Sequence, residues 1–140
     1  MSTMESLVRL HRWQVDERRR HLAELDGLAE RLRHALERLG EEQQSEAAAA
    51  ADSMEAKFGY AGYIRQVMER RRTLEQSLAD VEAQIVQARD ALGQAFEEMK
   101  RYETAAANRE RLRLQRAARR EGIELDALAI ENFRRRSGTE

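Results

Sequence analysis

The most constraining feature of this chain is an apolar stripe that recurs every 3.5 residues through its second half, from Tyr60 to Ala106. Thirteen of its fourteen positions are apolar, Arg71 being the exception. A repeat held this long is typical of a coiled coil, because it keeps one narrow stripe turned toward a partner helix. Written as heptads, the a positions are Ile64, Arg71, Leu78, Ile85, Leu92, Met99 and Ala106, and the d positions are Tyr60, Val67, Leu74, Val81, Ala88, Ala95 and Tyr102.

The first half of the chain carries a second stripe with the same period. Nine of its eleven positions are apolar, so each half supplies the apolar partner that the other lacks. The sequence therefore predicts an all-α fold, a long two-helix antiparallel coiled coil (helical hairpin) with a short C-terminal tail. The a positions of this half are Val8, Val15, Leu22, Ala29 and Leu36, and the d positions are Met4, His11, Arg18, Leu25, Leu32 and Leu39.

The expected point of reversal is the aromatic and glycine-rich segment 58–63, FGYAGY. Two glycines within four residues permit the positive φ angles of a tight turn. A reversal there pairs residues whose numbers sum to about 120, which places His11 near Arg109 and Val8 near Arg113. We therefore predict a single coiled-coil domain over residues 1–140, with helix 1 at about 4–57, the turn at 58–62, helix 2 at about 63–120 and a tail at 121–140.

Composition narrows the function classes. Charged residues make up 36% of the chain and aromatics 5%, which suits solvated helices with a thin apolar stripe. The formal net charge of −1 gives no general reason to expect binding to nucleic acid or to a membrane surface. The N-terminus MSTMESLVRLHRW lacks the features of a signal peptide, and no run approaches the roughly 20 apolar residues that span a bilayer. We expect a cytoplasmic protein without direct membrane insertion.

Residues for catalysis or for a cofactor are sparse. There is no cysteine, no glycine-rich phosphate loop and no nucleophile motif. Glu17 and His21, four residues apart, have the spacing to share a metal ion, but two ligands make a weak site and an ordinary surface pair explains them as well. We predict a non-enzyme with no metal and no cofactor.

Arginines mark the end of the predicted hairpin where both chain termini lie. Residues 9–20 and 109–120 together hold eleven arginines and three acidic residues. Guanidinium groups suit bidentate capture of carboxylates or phosphates, although a solvated end that only aids solubility is the alternative. Arginines within the apolar stripe weaken helix pairing, which favours a binding role. The candidate contacts at this end are Arg9, Leu10, Arg12, Trp13, Arg109, Arg113 and Arg116.

Aromatic residues supply two further candidates. Trp13 falls at an outer heptad position with Leu10 one turn before it, as in a partner-binding hot spot, unless the apolar tail folds back and covers it. At the predicted turn, Phe58, Tyr60 and Tyr63 either close the end of the apolar stripe or form a docking surface.

Four short segments stand in a fixed order along the chain: 7–10 (LVRL), 63–67 (YIRQV), 95–100 (AFEEMK) and 125–129 (LDALA). Together with the two heptad stripes and the aromatic turn, they resemble the FliJ family of flagellar export proteins over most of the chain. Ala127 stands where the family usually has an acidic residue. The resemblance implies a small cytoplasmic component at the inner-membrane base of the flagellum. Such a protein would insert its hairpin into the central hole of the export ATPase hexamer through the arginine-rich end, contact the export-gate membrane protein through the turn, and escort substrate chaperones.

Two other classes stay open. One is a structural or self-associating coiled coil with no ATPase partner. The other, an arginine-tipped nucleic-acid binder, is disfavoured because no stacking aromatics are interleaved with the arginines.

Overall fold

The computed structural model describes residues 3–138, and these form two α-helices and no strand. Helix α1 spans Thr3–Ala50 and helix α2 spans Met54–Gly138. The sequence is rich in alanine, leucine, glutamate and arginine, which are strong helix formers, and it has no proline to interrupt them. The all-α prediction with two long helices is confirmed. Residues 1, 2, 139 and 140 of the predicted domain and tail lie outside the described residues.

The chain reverses at residues 51–53, so the turn predicted at 58–62 is wrong. Ser53 caps the start of α2, because its hydroxyl oxygen accepts a hydrogen bond of 3.0 Å from the backbone N–H of Ala56. Gly59 and Gly62 lie inside α2, and no glycine among residues 3–138 has a positive φ. The segment that connects the two helices therefore ends at the serine cap of α2. The two glycines are ordinary residues within that helix.

Two compact units make up the described chain. The terminal unit contains residues 3–12 and 97–138, and the reversal unit contains residues 13–96. Each unit contains a part of α1 and a part of α2. One coiled-coil domain for the whole chain stays a prediction.

The reversal unit has an apolar core where the two stripes meet. Leu22 and Leu32 of α1 and Leu78 of α2 pack around it, half-buried. Side chains also meet across the helices farther along, where Arg33 bonds Glu82 and Arg71 bonds Gln43. Because the α2 number falls as the α1 number rises, the two helices of this unit are antiparallel. The buried members of the core are Leu25, Ala29, Val81, Ile85 and Ala88.

The heptad positions are the residues that the helices bury. All fourteen stripe positions from Tyr60 to Ala106 are buried or half-buried, including Arg71. In α1 ten of the eleven are buried or half-buried, and Arg18 is the exposed exception. The two predicted stripes are therefore the packing faces of the helices.

The register of the terminal unit is one heptad away from the predicted register. His11 stacks on Tyr102 with ring centroids 4.2 Å apart, whereas the sequence placed it near Arg109, seven residues later. A shift of seven residues returns every a and d position to the same stripe. The apolar pattern therefore fits both registers and does not distinguish them.

Helix α2 continues well beyond the residues that α1 can cover. Residues 107–138 are exposed apart from half-buried Ala117, so the predicted helix end near Glu121-Gly122 and the separate tail are wrong. One glycine costs a helix about 1 kcal/mol relative to alanine, and strong helix formers on both sides offset that cost here. We call residues 107–138 the extension. The arginines at positions 109, 113 and 116, which continue the apolar stripe, are exposed on the extension and are not buried between the helices.

Candidate partner-binding sites

An arginine-rich groove forms in the terminal unit where α1 begins. Its volume is about 830 Å³, and Met4 and Glu5 of α1 face Ala106 of α2 across its floor. Helix α1 is described from Thr3 onward, and the next turns of α2 are exposed. Four arginines stand along these turns, spaced at three and four residues on one face of the helix. They are Arg109, Arg113, Arg116 and Arg120.

Only one arginine of the groove is paired within residues 3–138. Arg113 donates hydrogen bonds of 3.0 Å and 2.7 Å to the two carboxylate oxygens of Glu110. These hydrogen bonds hold the pKa of Glu110 below its ordinary value and raise the pKa of Arg113. The guanidinium groups of Arg109, Arg116 and Arg120 have no carboxylate partner in the described chain. The groove therefore presents three guanidinium groups that form no ion pair within residues 3–138, alongside the carboxylates of Glu5 and Glu110.

The side chain of Arg12 forms an ion pair within the terminal unit. Its Nε donates a 3.2 Å hydrogen bond to Glu103, which Lys100 also approaches at 3.4 Å. The hydrogen bond from Arg12, more than the one from Lys100 or the positive charges of both residues, holds the pKa of Glu103 below its ordinary value. Arg9 and Leu10 are exposed, which a residue needs to be if it is to contact a partner.

His11 is a buried polar residue that the sequence marked only as an interruption of the stripe. Its ring lies within 14° of parallel to that of Tyr102, and its Nδ1 is 3.8 Å from a carboxylate oxygen of Glu98. That nitrogen has no hydrogen-bond partner among the residues described. The stacked rings pack between the helices at the position where a polar residue interrupts the apolar stripe of α1.

Trp13, in the reversal unit, is 58% exposed, which confirms the prediction that it points away from the stripe. Residues 121–138 are an exposed part of α2, so the alternative in which a separate tail folds back is wrong.

A second, smaller groove lies beside the helix reversal and has a volume of about 270 Å³. Tyr60 and Tyr63 form its aromatic wall, with ring centroids 6.1 Å apart and planes inclined by 34°. Burial, then the carboxylates of Glu42 and Glu46 and lastly Tyr60, raise the pKa of the Tyr63 hydroxyl. The remaining wall and floor are Glu46, Ala49, Ala50, Ala56 and Gly59.

The structure thus brings together two of the three aromatic residues predicted at the turn. Phe58 is 79% exposed and does not line the groove. Sequence reasoning did not identify Glu46 as part of this site. Because the reversal lies at 51–53, residue 46 of α1 comes opposite the tyrosines of α2.

Other site classes have no structural counterpart in residues 3–138. No three or more histidine or acidic side chains converge in a way that would hold a metal ion. Neither helix contains, within that range, a stretch long and apolar enough to cross a membrane.

Comparison with protein families gives a match over nearly the whole chain. The family described as flagellar FliJ protein matches residues 1–138. No curated protein and no solved structure matches the chain.

Proposed function

Because the chain belongs to the FliJ family of flagellar proteins, whose members are non-catalytic components of the export apparatus, we propose that it binds and stimulates the flagellar export ATPase. The arginine groove of the terminal unit enters the central hole of the ATPase hexamer and pairs with carboxylates there. The protein works in the cytoplasm, beside the inner membrane at the base of the flagellum.

The observation that carries this proposal is the set of unpaired guanidinium groups at Arg109, Arg116 and Arg120. Had α1 covered these residues, three adjacent like charges would weaken the helix pair. Instead they lie on an exposed face of α2, and none of the three forms an ion pair with a described carboxylate. Carboxylates of a partner suit the fork geometry of guanidinium, and opposite charges speed association at low salt.

Further contacts with the ATPase are proposed at Arg9, Leu10 and Arg12, and at Trp13 of the reversal unit. Trp13 is the largest exposed aromatic side chain and suits an anchor in an apolar pocket. Arg113 contributes only when the partner competes with Glu110 for its guanidinium. Arg12 likewise has to leave Glu103.

Stimulation of the cognate ATPase tests the proposal. The triple variant Arg109→Gln, Arg116→Gln, Arg120→Gln removes the unpaired charges and keeps Arg113 with Glu110. We expect it to lose most of the stimulation, and the wild-type effect to weaken as salt rises. The matched control is Arg31→Gln, Arg72→Gln, Arg89→Gln, which removes three exposed arginines of the reversal unit and should stimulate normally. Full stimulation by the first variant would instead favour a structural coiled coil with no ATPase partner.

We also propose that the groove beside the reversal contacts the export-gate membrane protein. Tyr60 and Tyr63 form its wall, and exposed Phe58 adds apolar surface close in sequence. The variant Tyr60→Ala, Tyr63→Ala should weaken binding to the cytoplasmic domain of the gate while the helix content stays unchanged. A large loss of thermal stability with unchanged binding would mean that the tyrosines only close the apolar stripe.

Escort of substrate chaperones requires a surface that is free while the two grooves are occupied. The extension offers one, because five large apolar side chains are exposed over residues 123–133. They are Ile123, Leu125, Leu128, Ile130 and Phe133. Shortening the chain after Gly122 should abolish chaperone binding and leave gate binding intact.

A further inference from the structure

The groove beside the reversal combines aromatic faces with an uncompensated carboxylate. Tyr60 and Tyr63 form one wall, and Glu46 faces them from α1. The floor between them is made of alanine side chains and Gly59, where even an added Cβ would meet nothing within 4 Å. Such a site has an apolar channel, two ring faces and one negative charge within a single side chain's reach.

The charges in the chain segments around the groove are mostly negative. Residues 41–64 hold five acidic residues and a single basic one, Lys57, which gives a net charge of −4. Glu46 has no ion pair among residues 3–138. Glu42 lies within electrostatic range of Tyr63, and it also lines a neighbouring groove with Arg38 and Arg70. Glu46 is the one acidic residue among those that line the groove, and its carboxylate has no ion pair in the described chain.

We propose that this groove binds one arginine side chain of the protein that docks at the helix reversal. The guanidinium lies against the rings of Tyr60 and Tyr63 and donates hydrogen bonds to Glu46, while its hydrocarbon stem rests on Ala49, Ala56 and Gly59. This inference rests on the proposed contact with the export gate and names the chemistry of that contact.

Three features favour arginine over an apolar side chain. Guanidinium groups stack on aromatic faces and bind carboxylates through a planar fork, so one arginine uses both kinds of wall. An apolar side chain would leave Glu46 beside it without a partner. The volume of about 270 Å³ is below that of pockets for drug-sized ligands, and it fits one long side chain.

A peptide titration tests the groove without the gate protein. The probes are Ac-AARAA-NH2 and the same pentapeptide with citrulline, which has nearly the same shape but no charge. The chain has three tyrosines, so with 3-fluorotyrosine incorporated the 19F signals report Tyr60 and Tyr63, and Tyr102 serves as an internal control. We expect the arginine peptide to shift the first two signals saturably and the third not at all. Citrulline should bind at least about tenfold more weakly.

Matched variants separate the site from general attraction to an acidic region. Glu46→Gln should weaken binding of the arginine peptide by about fivefold or more. Glu55→Gln removes the same charge near the reversal but outside the groove, and should change affinity by less than twofold at 0.15 M salt. Equal effects of the two variants, equal binding of the two peptides, or no saturable shift would each overturn the proposal.

Binding of the gate domain then distinguishes the two proposals. If the Tyr60→Ala, Tyr63→Ala variant loses the gate while the arginine peptide fails to bind wild type, the gate contact stands and the arginine site is wrong. If the peptide binds as expected and the gate ignores both tyrosines, the arginine site stands for another partner and the gate contact is wrong.

Discussion

The guanidinium of Arg71 donates a 2.8 Å hydrogen bond to the side-chain oxygen of Gln43, across the two helices of the reversal unit. Both residues are half-buried; Arg71 is the one polar position of the α2 stripe, and Gln43 occupies the heptad position that follows Leu39, the last residue of the α1 stripe. A heptad pattern is satisfied by any shift of seven residues, whereas this pair forms in only one register. Buried polar pairs in coiled coils specify register in this way, at a cost in stability.

The first prediction concerns this pair. Replacing Arg71 and Gln43 together by leucine should raise the free energy of unfolding, by about 1 kcal/mol or more, and allow a second register. Because the chain has no cysteine, spin labels can be attached to cysteines introduced at Arg38 and Arg70, which line one groove. The variant should show a second distance, since a shift of one heptad moves a helix by about 10 Å.

Leucines at Arg72 and Gln44, adjacent but exposed, are the control and should keep a single distance. A single distance together with lower stability for the Arg71 and Gln43 variant would mean that the pair stabilises the fold without selecting its register.

The second prediction locates the reversal by the signs of two stability changes. Gly62→Ala should stabilise the protein by about 0.5–1 kcal/mol, because Gly62 is helical and the added Cβ meets nothing within 4 Å. Ser53→Ala should destabilise it by about 1 kcal/mol through loss of the cap on α2. Ser45→Ala, within α1, is the control and should be neutral or slightly stabilising. Urea unfolding would give the opposite sign for Gly62→Ala if the turn lay at 58–62.

The third prediction concerns the stability of the arginine groove. The triple variant at Arg109, Arg116 and Arg120 should change the free energy of unfolding by no more than about 0.5 kcal/mol, since all three side chains are exposed. The sequence led us to expect relief of buried repulsion, and the exposed extension removes that reason. Thermal and urea unfolding check it. Stabilisation well beyond this range would show that the arginines are buried between helices in solution.

The fourth prediction is a pH dependence at Glu103. Its pKa in the folded protein lies below the ordinary 4.5, chiefly because of the hydrogen bond from Arg12. The ionised form is thus stabilised by folding, a contribution that is complete above pH 4.5 and is lost as pH falls through the lower folded pKa. Glu103→Gln should therefore be less stable than wild type near neutral pH, with the difference vanishing in acid.

Urea midpoints between about pH 6 and pH 3 test this behaviour, with Glu97→Gln, an exposed neighbour on α2, as the control. A difference between wild type and Glu103→Gln that stays constant over this range would exclude the ion pair with Arg12 as its cause.

The fifth prediction concerns the extension. Its helix has no partner, and isolated helices in water are marginal. Amides of residues 121–138 should exchange hydrogen within seconds, whereas those near Ile85 should exchange only on global unfolding. Protection of 121–138 that rises with protein concentration would instead indicate self-association through the exposed apolar side chains.

The sequence predicted which residues pack and missed where the chain turns. The burial of the a and d positions follows from the heptad period, so Val67, Val81 and Ile85 were placed correctly. The position of the turn depends on local interactions. The capping hydrogen bond of Ser53 marks the start of α2, whereas the two glycines are tolerated within the helix. The groove at the reversal then follows from the turn, which is why Glu46 opposite Tyr63 was not anticipated.

Sequence-based prediction is limited in the same way for the arginine groove. Its residues were identified from charge and heptad position, but their exposure depends on where α1 begins relative to α2. The seven-residue difference between Tyr102 and Arg109 as the neighbour of His11 decides that exposure. No periodic pattern carries this information, because both neighbours occupy the same stripe.

The extension also has a mechanical consequence. Two helices packed side by side resist bending and twisting more than one helix does, so the bending stiffness of α2 drops where α1 begins, near residue 107. A force applied to the last turns of α2 is absorbed first by elastic bending of the single helix. Torque generated by a partner that grips only residues 121–138 would be transmitted with slack, whereas a grip that includes both Met4 and Ala106 would transmit it directly.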